Sequence, residues 1–248
     1  METSSMGSEY AWPLKIATYD AGPDRCLRPA SILKLQQEVG ELHLGAGGLG
    51  YQVLLEAGMA FLLTRTNCVI HRMPRLNETV TLRTWHRGTR GAQFYRCYVF
   101  EDARGVPLVE SVTAFALVDV QDHRLLRPEA FDRFALATQT DVYNGCPDPG
   151  KWRPSVELQP VDRHVVRWSE TDWNGHLNNT VYADYLCDYV PGGMAGKQMT
   201  GFSIAFLKEA REGEVLQMAA GADGTEAFVV GTHERGICFE AKMTFVPV

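Results

Sequence analysis

Apolar and polar positions along the chain run through the same succession of periods twice. Residues 11–27 read as an extended segment closing in the turn Asp20-Ala-Gly-Pro-Asp24. Pro29 then opens a helical pattern whose apolar faces carry Ile32, Leu33, Leu35 and Val39, proline being suited to a first helical position. Gly45-Ala-Gly-Gly-Leu-Gly50 predicts the end of that helix and the start of another, continued by Leu54, Leu55 and Met59. Beyond it, residues 66–72, 79–85, 92–100 and 109–120 are rich in β-branched and aromatic residues and read as strands. Val80 and Leu82 face one way while Thr79, Thr81 and Arg83 face the other, the alternation of a half-buried antiparallel strand.

A second round begins after a connecting stretch, where residues 141–150 carry the Pro, Gly and Asp content of a linker. A strand over residues 163–168 and a polar loop come next, then a helix with an apolar stripe of Val181, Tyr182, Tyr185, Leu186 and Tyr189. Pro191-Gly-Gly193 stops that helix, and strands run on to the C-terminus. Glu212-Gly-Glu-Val-Leu resembles Asn77-Glu-Thr-Val-Thr, and residues 226–230 with 236–245 mirror 94–100 with 109–117. The chain therefore reads as one unit used twice, each a strand, a long helix and an antiparallel sheet. The units are residues 11–135 and 161–248, joined by a linker at 136–160.

Candidate chemistry sits in the loop of the second copy. In Trp168-Ser-Glu-Thr-Asp-Trp-Asn-Gly-His-Leu-Asn-Asn179, alternation places Asp172, Asn174 and His176 on one side of an extended segment. Gly175 permits a sharp turn, and Asn178 or Asn179 can cap the helix. Carboxylate, carboxamide and imidazole are thereby aimed at a helix N-terminus, whose N–H groups can hold a developing anion. The plain structural alternative is a capped loop with Asp and Asn bonded to backbone. Aligning Leu27 with Leu177 sets Cys26 opposite His176, Asp24 opposite Asn174 and Gly22 opposite Asp172. Only the second copy has an imidazole there. That asymmetry predicts one working site in the C-terminal half and an N-terminal half freed to hold a substrate tail.

Composition narrows the class. An apolar share of 45% and a charged share of 22% over 248 residues describe an ordinary globular protein. The net charge of -6 argues against a general nucleic-acid binder, and no apolar run approaches the roughly 20 residues that span a bilayer. Neither nucleic acid nor membrane is therefore an expected partner. Residues 1–10 are polar, lack a secretory apolar core, and read as a disordered tail or a cloning remnant. The 6 cysteines are scattered without a C-x-x-C pair, which fits reduced thiols in a cytosol.

Other motifs carry less. Residues 45–50 match G-x-G-x-x-G, yet a helix precedes them and no carboxylate lies near position 70, so the dinucleotide reading is rejected. Asp172 and His176 lack a third ligand at recognisable spacing, which argues against a metal. Arg65, Arg72, Arg75, Arg83, Arg87, Arg90 and Arg96 stand against only Glu78 in their stretch. That stretch is either a solvated outer sheet face or a landing site for an acidic protein.

One known family gathers these segments. In the N-terminal half they are residues 29–56, Asn77-Glu-Thr-Val-Thr-Leu-Arg-Thr-Trp85 and Thr113-Ala-Phe-Ala-Leu-Val118. In the C-terminal half they are Asp172-Trp-Asn-Gly-His-Leu-Asn-Asn179 and Phe206-Leu-Lys-Glu-Ala210. From about Pro13 to Val248 the chain resembles the acyl-acyl carrier protein (acyl-ACP) thioesterases of plastid and bacterial type. The resemblance implies an α+β double hotdog fold, in which each half wraps a curved antiparallel sheet around a long helix. It also implies hydrolysis of a fatty acyl thioester to a free fatty acid, with acyl carrier protein as partner and no cofactor. Carried over residue by residue, Asp172, Asn174, His176 and Glu209 fall on the family's catalytic positions. Many plant members have a cysteine directly after that glutamate; here the position is Ala210, so a covalent cysteine mechanism there is unavailable to this chain.

On that reading Glu209 is the expected general base, with His176 as relay or alternative base. Asn174 orients the water or the thioester carbonyl, and Asp172 fixes its neighbours or holds the loop. Backbone N–H groups at the start of the following helix are expected to form the oxyanion hole. The bacterial type and a cytoplasmic location are expected, since no transit-like leader is visible and the length is modest. Whether the doubled chain stands alone or pairs again as a homodimer is left open. The alternatives are an acyl-CoA thioesterase of the same fold and a non-catalytic acyl-binding protein; retention of all four polar positions argues against the latter.

Overall fold

The structure, a computed structural model, describes residues 7–248. Its first half runs β1 (Glu9–Lys15), α1 (Pro29–Ala46), α2 (Tyr51–Glu56), β2 (Met59–Ile70), β3 (Thr79–Arg90), β4 (Gln93–Glu101) and β5 (Pro107–Asp119). The second runs β6 (Gln159–Val165), α3 (Val181–Tyr189), β7 (Lys197–Phe206), β8 (Val215–Asp223), β9 (Glu226–His233) and β10 (Gly236–Pro247). All strands join one 10-stranded sheet in the order β1-β3-β4-β5-β2-β7-β10-β9-β8-β6. Read inward from either edge, the order is the same five-strand arrangement, and the halves meet where β2 pairs antiparallel with β7. Helices α1 and α3 touch each other. One apolar cluster unites Ile32 and Val39 of α1, Tyr182 and Leu186 of α3, and Leu82, Phe100, Ile204 and Phe239 of the sheet. This is the double hotdog architecture.

The repeat extends to individual hydrogen bonds. Ile16 N–H donates to the Glu78 carbonyl as Val166 N–H donates to that of Glu214, both at 2.9 Å. Leu27 N–H donates to Pro74 O at 2.8 Å, and Leu177 N–H to Ala210 O at 2.7 Å. Gly22 N–H reaches Cys26 O at 2.8 Å, and Asp172 N–H reaches His176 O at 2.7 Å. A slip of one residue would break each correspondence, so the alignment of Leu27 with Leu177 holds.

Element boundaries depart from the sequence reading in several places. Helix α2 stops at Glu56 because Gly58, at φ 76°, turns the chain. Met59 therefore opens β2, opposite Asp119, instead of continuing a helix, and the strand expected from residue 66 begins there. Its extra length delivers Met59 and Phe61 to a satellite cluster with Phe94, Leu117 and Phe131. Strand β3 runs on to Arg90, past the predicted end at residue 85. The strand predicted over 163–168 lies at Gln159–Val165, and Trp168–Glu170 is a single 3-10 turn. Glu9 and Tyr10, predicted as tail, pair with Trp85 and Thr84; residues 1–6 lie outside the described residues.

The connecting stretch is a strap over the outer face of the sheet. Gln139 N–H donates to His86 O at 2.7 Å, and Trp85 Nε1 donates to Val142 O at 2.9 Å. Asn144 Nδ2 reaches the carbonyls of Tyr98 at 3.1 Å and Ser111 at 2.9 Å. Past Pro147, held by Asn67 Nδ2 at 3.0 Å, Trp152 packs on Phe228 of the second half with ring centroids 5.7 Å apart. The strap thus spans the β2–β7 seam. Among the described residues no helix is long and apolar enough to cross a membrane. All six cysteines are free, and Cys68, Cys97, Cys146 and Cys238 are buried.

At the seam, a Cβ on Gly201 would stand 2.6 Å from the Cys68 carbonyl oxygen and 3.1 Å from Thr244 Oγ1. The near atom is backbone of the other half and cannot swing away. Gly201→Ala is expected to destabilise the fold by about 2 kcal/mol, in the range of overpacked cores. Urea unfolding at equilibrium checks this.

Candidate active site

The loop ahead of α3 is a tight turn. Asp172 Oδ1 accepts the backbone N–H groups of Asn174 at 2.8 Å and His176 at 3.2 Å. Gly175 N–H donates to Asp172 O at 3.0 Å, and Gly175 sits at φ 76°, a conformation open to glycine. The expectation that Asp172, Asn174 and His176 share one side of an extended segment is therefore corrected. A short carboxylate bonds the N–H two residues on more readily than it continues a strand. Of the two roles foreseen for Asp172, holding the loop is the one its contacts fit.

Asn178, not Asn179, closes the start of α3: its Oδ1 accepts both the N–H and the Oγ1 hydroxyl of Thr180 at 2.9 Å. Val181 N–H donates to Asn178 O at 2.9 Å. These two N–H groups at the head of α3 are already bonded, so the oxyanion hole foreseen there cannot be built from them without rearrangement.

Glu170 anchors the loop from below, and the sequence reading passed over it. Its carboxylate receives His164 Nε2 of β6 at 2.9 Å, Tyr185 OH of α3 at 3.0 Å and Arg167 N–H at 2.7 Å. Burial alone would raise its pKa, but these donors outweigh burial and hold it below the ordinary value. Its carbonyl also accepts Asn178 N–H at 2.9 Å. Strand, turn and helix are thus tied to one side chain. The spacing Arg167-Trp-Ser-Glu170 held the signal, as the reach-back of a glutamate three residues into a turn.

Glu209 comes from the segment after β7. Leu177 N–H bonds to Ala210 O, and His176 bridges Arg211, so the two loops run side by side. His176 Nε2 consequently lies 3.1 Å from Glu209 Oε2. The other carboxylate oxygen accepts Arg211 Nη2 at 2.8 Å. The Glu209 carbonyl is fixed by His233 Nε2 and Arg235 Nη2, each at 3.0 Å, and Arg235 is itself paired with Glu214. Both side chains stay open to solvent, 33% exposed for His176 and 48% for Glu209. Water can therefore reach the pair.

The N-terminal half also reaches this loop. Tyr51 of α2 donates its hydroxyl to Asn174 Oδ1 at 3.4 Å, and its ring meets Trp173 edge-on with centroids 4.2 Å apart. Asp172, Asn174, His176 and Glu209 are thus brought to one place on two adjacent loops, Asp172 behind them as a loop former. At the equivalent place in the first half, Asp24 Oδ1 accepts Cys26 N–H at 2.9 Å, so the turn is retained. The shared register puts Met73, next to Pro74, where Glu209 stands next to Ala210. That position therefore holds neither base nor imidazole.

The arginine stretch does not form one basic face. Arg96 and Arg87 are buried, Arg87 and Arg90 both pair with Asp148, Arg72 pairs with Glu78, and Arg83 with Glu9 and Glu101. Most of the partners lie far away in sequence, where a local charge count cannot see them. A landing site made of the whole stretch is corrected accordingly.

Family models described as the acyl-ACP thioesterase N-terminal domain and C-terminal domain match residues 7–130 and 155–241. The chain belongs to the acyl-ACP thioesterase family. It is 22% identical over 243 residues to a chloroplastic dodecanoyl-[acyl-carrier-protein] hydrolase of Cinnamomum camphora, a match covering 91% of this chain and 61% of that relative. A chloroplastic palmitoyl-acyl carrier protein thioesterase of Arabidopsis thaliana is 21% identical over 229 residues, covering 85% and 54%. The chain thus spans about three-fifths or less of the length of these curated relatives. Among solved structures, an acyl-ACP thioesterase from Bacteroides thetaiotaomicron superimposes with a TM-score of 0.84 at 18% identity, covering 96% of this chain and 98% of that one. The 12:0-ACP thioesterase from Umbellularia californica gives 0.80 at 17% identity, covering 98% of each. At these identities the superpositions establish that this family member shares their fold.

Proposed function

We propose that this chain hydrolyses fatty acyl-ACP thioesters to free fatty acid and carrier protein and so ends acyl-chain synthesis; its relatives are named as acyl-ACP hydrolases and thioesterases. The observation that carries the reading is the 3.1 Å contact between His176 Nε2 and Glu209 Oε2, in a chain of this family. Arg211 occupies Glu209 Oε1, which leaves Oε2 for His176 and for water. Glu209 takes a proton as the water oxygen attacks the thioester carbon. The carbonyl oxygen becomes an oxyanion, for which Asn174 Nδ2 is the candidate donor on the loop. The carbon–sulfur bond then breaks, and the proton passes through His176 to the leaving thiolate. No bond to the protein forms at any point. Asp172 keeps Asn174 and His176 in register through their backbone N–H groups, and the N-terminal half holds the acyl tail. The location is cytoplasmic.

Acyl-CoA is the second substrate class, because the arginines expected to receive an acidic carrier are largely paired or buried and no longer single out the carrier protein. Thiol release from acyl-ACP and acyl-CoA of matched chain length separates the readings. Preference for the carrier thioester is the expected result. Equal or better use of acyl-CoA overturns the partner, and release from neither overturns hydrolysis.

A further inference from the structure

Helix α2 is the one α-helix of the first half with no copy in the second, among the described residues. After α3 the chain passes through Pro191-Gly-Gly193 straight into β7, whereas α1 is followed by Gly45-Ala-Gly-Gly-Leu-Gly50 and then α2. Gly48 turns the chain at φ 73°, and Cβ atoms built on Gly45, Gly48 and Gly50 would meet nothing within 4 Å. No neighbouring protein atom requires these glycines to lack a side chain, and Gly48 serves the change of direction. The redirected helix presents its first residue, Tyr51, to the loop of the other half that carries Asp172, Asn174 and His176. The first-half loop, with Asp24 and Cys26, faces no matching helix because none follows α3. The added element stands where the full polar set stands.

Tyr51 touches that loop twice. Its ring lies edge-on to Trp173 at 4.2 Å and 68°, a geometry that fixes a ring without locking it. Its hydroxyl then falls 3.4 Å from Asn174 Oδ1. That length is at the long end for a hydrogen bond. The chemistry of the amide gives the contact a direction. A carboxamide has one acceptor end and one donor end. A phenol that donates to the oxygen leaves the NH₂ end to donate elsewhere. Burial, followed by the charges of Asp172 and Glu41, raises the pKa of Tyr51 above its ordinary value, so the phenol remains a donor.

We propose that Tyr51 is a positioning residue: its hydroxyl holds Asn174 by the amide oxygen, so that Asn174 Nδ2 faces the thioester carbonyl and donates to the oxyanion. The proposal rests on the hydrolase reading above. Without the phenol the amide rotates freely about its last torsion and presents its oxygen, a repulsive partner, part of the time. The glycine-rich segment gains a role by the same argument, as the bend that delivers Tyr51 to the loop.

Tyr51→Phe removes one oxygen atom and keeps the ring against Trp173. Its expected effect is a fall in kcat of about tenfold, the worth of one oriented hydrogen bond, with KM nearly unchanged. In an Asn174→Ala background the same substitution changes kcat by less than about twofold, since the amide it orients is gone. A merely structural role predicts equal losses in both backgrounds, or a rise in KM alone, and either overturns the proposal. A second readout needs no turnover: the side-chain NH₂ cross-peak of Asn174 in a nitrogen-15 spectrum, assigned by its loss in Asn174→Asp. It is expected to move in Tyr51→Phe while the backbone spectrum of the sheet stays in place, and an unmoved peak overturns the contact. If the unmodified protein hydrolyses no acyl thioester, the hydrolase reading falls by itself, and the cross-peak still decides whether Tyr51 holds the amide.

Discussion

Replacing Glu209 by glutamine lowers kcat for thioester hydrolysis by about a thousandfold, the middle of the range for a well-placed general base. Glutamine preserves the shape of the side chain and can still accept Arg211 through its amide oxygen. It cannot take a proton from water, and its NH₂ end meets His176 where a carboxylate oxygen lay at 3.1 Å. The loss therefore appears in kcat, with little change in KM and no change in the urea midpoint, because Glu209 is half exposed and its backbone is held independently by His233 and Arg235. The matching substitution in the other half, Met73→Leu, leaves kcat unchanged. If Glu209→Gln keeps most of its turnover while His176→Ala loses it, the base is the imidazole and the glutamate its orienting partner.

The second large effect concerns stability. Arg96 is buried beneath α1, and its guanidinium donates to His43 Nδ1 at 3.0 Å, to Thr84 Oγ1 at 3.1 Å and to His86 Nε2. No carboxylate pairs with it within 4.0 Å among the described residues, as the ion pairs of its neighbours show by contrast. Guanidinium keeps its proton, so both imidazoles must accept, and accepting requires them neutral. Burial first, then the Arg96 charge, pushes the pKa of His86 well below 6.5. His43 is lowered by burial against the opposing bond from its ring to Gly7 O, at 2.8 Å. Glu41, raised by burial, and Glu9 complete the charged surroundings. His86→Leu keeps the volume and strips an acceptor from a buried cation, at an expected cost of about 3 kcal/mol in urea unfolding at neutral pH.

The pH dependence follows from the same cluster. Unfolded histidines bind protons as pH falls through about 6.5, and the folded ones do not. The unfolded state then binds more protons, so the stability these histidines contribute is full above that pH and lost progressively below it. The urea midpoint of the unmodified protein is expected to fall between pH 7.5 and pH 5, and to fall less in His86→Leu. Parallel curves for the two proteins would show that the cluster titrates identically folded and unfolded.

Most of the fold was legible because its signals are periodic. Alternation in residues 79–85 gave the faces of β3, with Val80 and Leu82 inside, and Pro29 marked the first residue of α1. The doubled order of elements was visible for the same reason. The run Met59-Ala-Phe-Leu-Leu63 was not decidable locally, since an apolar run has no period to read; only its pairing with β5 makes it strand. At the candidate site, Asp172, Asn174, His176 and Glu209 were singled out through their pattern and its resemblance to a family. Their geometry was not. The choice between an extended run and a turn at Asp172 depends on which backbone N–H its carboxylate takes. Tyr51 lies 123 residues from Asn174, and no spacing rule reaches that far. The arginine run misled for the same reason, since Glu9, Glu101 and Asp148 arrive through the fold.

In the mechanism proposed here, water activated between Glu209 and His176 attacks the thioester directly. Single-turnover hydrolysis of acyl-ACP in heavy-oxygen water, quenched in acid and read by mass spectrometry of both fatty acid and protein, tests it most directly. The expected result is one solvent oxygen in the fatty acid from the first turnover and no acyl adduct on the protein at any time. An acyl group on Glu209, or a first-turnover acid carrying unlabelled oxygen with the label in Glu209, would contradict it.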